Sequence, residues 1–162
     1  MKVAIVMGSK SDLPVVEKAA LILEEFAVEH KMRILSAHRT LDATLDFVRG
    51  AKGQGYGVII AAAGKAAHLP GVIAAATDLP VIGIPIKTSM MGGLDSVLSI
   101  LQMPGGIPVA TVGVNAAENA ALLALRILAL SDEKIALSYR TYVQKMEEKV
   151  LEDDRELETK NE

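Results

Sequence analysis

Five short apolar runs punctuate the chain: VAIVM (3–7), MRILS (32–36), GVIIAAA (57–63), LPVIGIPI (79–86) and IPVATV (107–112). Most are continuous rather than alternating, the pattern of parallel strands buried on both faces. Helical periodicity fills the gaps between them. Within 11–27, Val16, Ala19, Ala20, Leu23 and Phe26 share one face; within 40–53, Leu41, Leu45 and Val48 do the same. Shorter helical patterns occupy 72–77, 94–102 and 115–130. The strict alternation of strand and helix predicts an α/β fold, a doubly wound parallel sheet between two helical layers, with a five-stranded order of the flavodoxin type.

The character changes after Leu130. Residues 131–162 hold 10 of the 20 acidic side chains, and Ile135, Tyr139, Tyr142, Met146 and Val150 fall on a single helical stripe. This predicts a long C-terminal helix over 131–162 that lies across a neighbour, either its own domain or another subunit. The 115–130 segment is apolar around most of its circumference, a second hint of subunit contact. No internal repeat or linker divides the chain, so 1–162 is expected to form a single domain.

Composition narrows the choice of function. Half of the 162 residues are apolar (51%) but only 3% are aromatic, so the core must be built from Ala, Val, Ile and Leu. A net charge of −3 offers no basic stripe for nucleic acid and no general attraction to an anionic membrane. No apolar run reaches the roughly 18 residues of a spanning helix, and the opening MKVAIVMGSK is too short and too abruptly polar for a signal peptide. Cysteine is absent, which removes disulfides and thiolate chemistry and makes a cytoplasmic address the expectation.

Ligands of open parallel sheets bind beyond the carboxyl ends of the strands, and the polar residues gather there. The first strand leads into GSKSD (8–12), the second into SAHRT (36–40), the third into AGKAAHLPG (63–71) and the fourth into KTSMMGGLDS (87–96). The opposite edge receives ordinary turns, GQGYG (53–57) and TDLP (77–80). Gly8 permits close approach, Ser9 and Ser11 can donate to phosphate oxygens, and Asp12 can accept from sugar hydroxyls; equally, Ser11 or Asp12 can cap the following helix. Ser36 or Thr40 can cap the next helix, which leaves His38 unexplained by capping. A histidine near a helix start is a general acid–base candidate, and Arg39 beside it offers a planar fork for phosphate or carboxylate. AGKA is not a phosphate loop, because the upstream glycine is missing and Ala66 stands where Ser or Thr must hold magnesium. No dinucleotide fingerprint follows the first strand, and neither His38 nor His68 has acidic partners at metal-ligand spacing, so no metal is expected. His30 lies at the wrong edge and reads as surface. The 87–106 stretch, with glycines at both ends and methionines between, suits a mobile apolar lid.

Together MGSKSD, SAHRT, AGKAAHLPG, PVIGIPI and GGLDSVLSILQMPGGIPVAT resemble the PurE family of purine biosynthesis, in the family's order, from about residue 3 to residue 130. The resemblance implies a homo-octamer whose C-terminal helix reaches over a neighbour, acting on a small-molecule ribonucleotide without metal, ATP or organic cofactor. It implies transfer of a carboxylate from an exocyclic nitrogen to C4 of an imidazole, through release and recapture of carbon dioxide. Ser9, Asp12 and Arg39 match ribotide-binding positions, with Ser11 and Ser36 beside them, and His38 matches the catalytic histidine. Ala63, Gly64, Ala66, Ala67 and His68 match the segment lining the carbon dioxide pocket. Another branch of the family carboxylates the aminoimidazole ribonucleotide directly and lacks the AAHLPG continuation, so His68 and Pro70 favour the mutase branch. Two positions depart from the pattern. Lys65 stands where many relatives have glycine, and Leu41, where proline is common, is expected on the helix's apolar face.

Overall fold

The computed structural model describes residues 1–160. Strands β1 (Lys2–Met7), β2 (His30–Ile34), β3 (Tyr56–Ala63), β4 (Val81–Pro85) and β5 (Ala110–Thr111) pair in parallel in the order β2-β1-β3-β4-β5, the flavodoxin-type order. Helices α1 (Leu13–Glu25), α2 (Leu41–Ala51), α3 (Leu69–Ala74), α4 (Leu94–Leu101), α5 (Ala117–Leu128) and α6 (Glu133–Lys160) complete the chain. No helix among the described residues is long and apolar enough to cross a membrane.

Alternate residues of each central strand feed two separate cores, as the strand period of two requires. Ile5, Ile60 and Ile84 pack with Val16, Leu23, Ala120 and Leu125, which places α1 and α5 on one face. Val6, Ile59 and Ala61 pack with Phe47, Val48, Ile73 and Ile100, which places α2, α3 and α4 on the other. Small residues at the helix–sheet contacts let the layers approach closely. Among the described residues the Phe and Tyr rings pack as a Phe47–Tyr56 pair and a cluster of Phe26, Tyr139 and Tyr142.

Several expectations are corrected. β2 is an edge strand paired only with β1, and its Met32 and Ile34 stay exposed rather than buried on both faces. β5 shrinks to two residues, because Pro108 carries no N–H for the ladder and only Ala110 and Thr111 pair with β4. Helix α2 buries Thr44, Phe47, Val48 and Ala51; Leu41 is 45% exposed and does not serve the inward face. α3 starts at Leu69, earlier than its pattern suggested, with Pro70 in the first turn.

Asp132 accepts from the backbone N–H groups of Lys134 and Ile135 and so caps α6, which begins two residues later than expected. Positions 161 and 162 of the expected helix lie outside the described residues. Its stripe holds as far as Tyr142, where Phe26 meets it with ring centroids 5.5 Å apart. Beyond that point Met146 (55%) and Val150 (67%) stand exposed.

Gly83 sets how closely α4 can lie on the sheet. A Cβ there would fall 2.5 Å from Ile100 Cγ2 and 3.1 Å from Val109 Cγ1. Gly83→Ala is expected to destabilise the chain by about 1–3 kcal/mol through overpacking, measured by urea denaturation; an unchanged midpoint would show that α4 is free to shift.

Candidate active site

The register brings four strand ends level. Met7 pairs with Ile34 and Ala62, and Ala63 pairs with Pro85. The loops leaving them surround a cavity of about 710 Å³, within the range of small-molecule sites. Gly8, Ser9, Ser11, Asp12, Ser36, His38, Arg39, Ala63, Gly64, Ala66 and His68 all line it. Ala67 is the exception: it is buried in the core on the α2–α4 face and forms no part of the wall. The strand-end reading therefore gathers every other expected site residue in one place.

The β1 exit closes on itself. Ser9 Oγ accepts from the Ser11 N–H at 3.3 Å and so caps the single 3₁₀ turn at Lys10–Asp12 that precedes α1. Asp12 holds the N-cap position of α1 as expected but makes no side-chain capping bond there, so the capping hydroxyl is that of Ser9 on the preceding turn. Ser11 Oγ lies 3.0 Å from Ser9 Oγ and 3.1 Å from Asp12 Oδ1. Its single proton serves one of them at a time, so these hydroxyls can reorient towards an incoming oxygen. A Cβ at Gly8 would meet no protein atom within 4 Å; the space left there belongs to the cavity.

The β2 exit is held more tightly. Thr40 Oγ1 accepts from the Ser36 N–H at 2.8 Å, and Ser36 Oγ accepts from the Arg39 N–H and from Arg39 Nε, each at 3.3 Å. Thr40 thus faces back to Ser36 and makes no forward cap on α2. Arg39 Nη2 donates to the Gly8 carbonyl at 2.7 Å, across the neighbouring strand end. Among the described residues the Nη1 amine has no partner, so part of the fork is left for an anion.

His38 and His68 come from strand exits on opposite sides of β1, yet His38 Nε2 lies 2.8 Å from His68 Nδ1, with the rings nearly perpendicular at 82°. At that distance one nitrogen carries a proton and the other accepts it. The two rings are therefore joined by one shared hydrogen bond. His30 lies at the far end of the sheet, away from the site as expected, but its side chain is only 15% exposed, between Glu24 and the Val28 carbonyl, so it is not a surface histidine.

Lys65 lines the cavity with φ +58°, in the left-handed region that costs a non-glycine residue about 1–2 kcal/mol. Glycine adopts that conformation freely, which accounts for its suitability at this position. The bend turns Ala66 towards the cavity and Ala67 into the core.

The 87–106 segment is not a single lid. α4 is packed through the fully buried Ile100 and Ser96, while Met90 and Met91 in the preceding loop are exposed. Ile86, Lys87, Thr88, Ser89 and Asp95 also line the cavity and were not expected as site residues, although their position after the fourth strand was the available signal. Asn115 Oδ1 accepts from the Lys87 N–H at 2.9 Å and fixes this loop from the β5 side.

A family model described as AIR carboxylase matches residues 2–149. The N5-carboxyaminoimidazole ribonucleotide mutase of Thermotoga maritima is 52% identical over 97% of this chain and 92% of its own length. The enzyme of the same name from Pyrococcus horikoshii is 55% identical over 96% of this chain and 88% of its own. The crystal structure of Treponema denticola PurE superposes with a TM-score of 0.87 at 35% identity, covering 96% of this chain and 97% of that one.

Two carboxylates in the cavity are shifted in opposite directions. Asp95 is held below its ordinary value, chiefly by the hydrogen bond from Thr88 Oγ1 at 2.6 Å. Burial pushes Asp12 above its ordinary 3.8, against the opposing effects of the Ser11 hydroxyl, the Ser9 backbone and the Arg39 guanidinium. A raised carboxyl makes ionisation costly in the fold. That cost is absent below the ordinary value, grows as pH rises through the window up to the raised value, and is complete at neutral pH. Asp12→Asn is therefore expected to melt above the unaltered chain at neutral pH, with the difference vanishing below about pH 4. An equal or lower melting temperature at neutral pH would contradict the sign.

Proposed function

The chain belongs to the AIR carboxylase family, and we propose that it acts as a single catalytic domain, an N5-carboxyaminoimidazole ribonucleotide mutase of purine biosynthesis. The observation that carries the reading is the 2.8 Å contact between His38 and His68. His68 lies in the AAHLPG segment, which the directly carboxylating branch of the family lacks, and here it is joined to the histidine proposed for catalysis. The two mutase relatives match along nearly the whole chain and support the same branch.

The ribotide phosphate is held by Arg39 with Ser9 and Ser11 at the α1 end, and Asp12 accepts from the sugar hydroxyls. Ser36 fixes the Arg39 fork. Decarboxylation breaks the bond between the exocyclic nitrogen and the carboxyl carbon; its electron pair stays on nitrogen, which takes a proton from His38. The freed carbon dioxide is retained against Ala63, Gly64 and Ala66, apolar or side-chain-free surfaces that do not order water. C4 of the electron-rich imidazole then attacks the carbon, and His38 recovers the proton that C4 loses. The proton given equals the proton taken, so no external acid, base or oxidant is consumed. His68 holds the His38 ring and shares the proton between the two steps.

The exposed apolar side chains of α6 beyond Tyr142, including Met146, Val150, Leu151 and Leu157, have no cover within the described chain. They support a homo-octamer in which α6 lies on a neighbouring subunit, and the metabolic role supports a cytoplasmic address. Sedimentation at the mass of one chain would contradict the assembly, and fractionation outside the cytoplasm would contradict the address.

Purified protein should convert N5-carboxyaminoimidazole ribonucleotide rapidly without added bicarbonate, and turn over aminoimidazole ribonucleotide with modest bicarbonate only slowly. The reverse pattern would make it a direct carboxylase, and silence in both would leave a nucleotide-binding module. His38→Asn is expected to fold normally and lose about 10²–10⁴-fold in kcat. Near-normal turnover in that variant would remove His38 from the mechanism.

A further inference from the structure

Ser96 is the one fully buried serine in the described chain and does not itself line the cavity. Its hydroxyl is nonetheless joined to two of the loops that build that wall. Ser96 Oγ donates to the Ile86 carbonyl at 2.8 Å and accepts from the Lys65 N–H at 3.0 Å. One α4 hydroxyl thus ties the exit of β3 to the exit of β4. Ser99 Oγ, one turn further along α4, donates to the Asp95 carbonyl at 2.7 Å and lies 3.3 Å from the Lys65 carbonyl, so its single proton serves the nearer oxygen. The Lys65 N–H is therefore the backbone group that α4 holds. Asp95 adds a third tie through Thr88.

Lys65 is also the residue in left-handed backbone. A non-glycine residue stays in that region only when its surroundings over-determine it. The bend directs the next residues so that His68, three positions on, meets His38. We infer that Ser96 is a positioning residue for the mutase reaction: by fixing the left-handed bend at Lys65, its buried hydroxyl sets His68 against His38. The inference rests on the proposed roles of those histidines. It separates placement of the proton-transfer pair from ligand binding, because Ser9, Asp12 and Arg39 sit on the β1 and β2 exits, which Ser96 does not touch.

A double-mutant cycle tests it. Ser96→Ala is expected to lower kcat by about 10- to 100-fold, the scale of a misplaced catalytic group, with KM little changed. Lys65→Gly adopts the same bend without strain, so the loss caused by Ser96→Ala should be smaller when residue 65 is glycine than when it is lysine. Ring-nitrogen NMR shifts of the histidines supply a readout independent of turnover. In the unaltered chain His38 Nε2 and His68 Nδ1 should form one donor and one acceptor. Both should relax towards the values of free, tautomer-averaged imidazoles in Ser96→Ala and return towards the paired values in the double variant. Unchanged shifts in Ser96→Ala, an absence of pairing in the unaltered chain, or equal kcat losses in both backgrounds would overturn the inference. Should Ser96→Ala fail to fold, Ser96→Cys runs the same cycle with a similar shape and a much weaker hydrogen-bonding group. A chain that turns over no substrate yet shows the NMR pattern would overturn the proposed reaction while leaving the positioning role standing.

Discussion

Parallel pairing in register is the constraint on which the rest of the molecule depends. It makes β1, β2, β3 and β4 end at one level, so that every loop carrying a hydroxyl, imidazole or guanidinium leaves on the same side. The two cores then lock the sheet between helical layers with side chains that have little freedom to rearrange. Rigidity of this kind is what acid–base catalysis on a small substrate requires, since a proton donor must meet its target within hydrogen-bond reach. The fold supplies a level platform, and the loops supply the chemistry.

The cavity departs from what stability alone would favour in two places. Asp12 is 8% exposed, at an energetic cost while ionised. Lys65 occupies a backbone region that suits glycine. Each departure is held by neighbours: Ser11 and Arg39 for the first, Ser96 for the second. Strain gathered at one edge and supported by buried contacts is the expected signature of a functional site. The buried hydroxyl of α4 connects the packing of the core to the placement of the imidazoles.

Much of this was legible in the sequence, for identifiable reasons. Continuous apolar runs such as GVIIAAA have only one comfortable place, the centre of a parallel sheet, and their alternation with helices implied a doubly wound sheet, for which the flavodoxin-type order was the first choice. The site was legible because position after a strand already implies position at the binding edge. The edges of the sheet were less so: Met32, Ile34 and the residues near Pro108 look like strand core in a linear pattern, but burial of an edge depends on neighbours the pattern does not contain. The contact of His38 with His68 was hidden because their strands flank β1 rather than each other, and no spacing along the chain encodes that reach. Ala67 was misplaced for a similar reason, since the direction of each alanine depends on the left-handed bend just before it. Nothing in the sequence singles out Ser96; its complete burial and its two hydrogen bonds to separate loops are visible only in the fold.

The central claim is that one site removes a carboxylate from nitrogen, retains the carbon dioxide and returns it to carbon. The most direct measurement follows N5-carboxyaminoimidazole ribonucleotide labelled with carbon-13 in the transferable carboxylate, in buffer holding unlabelled bicarbonate. Retention of most of the label at C4 of the product under single-turnover conditions is the expected result. Label diluted to the level of the surrounding bicarbonate would contradict retention and assign the carbon to solution instead.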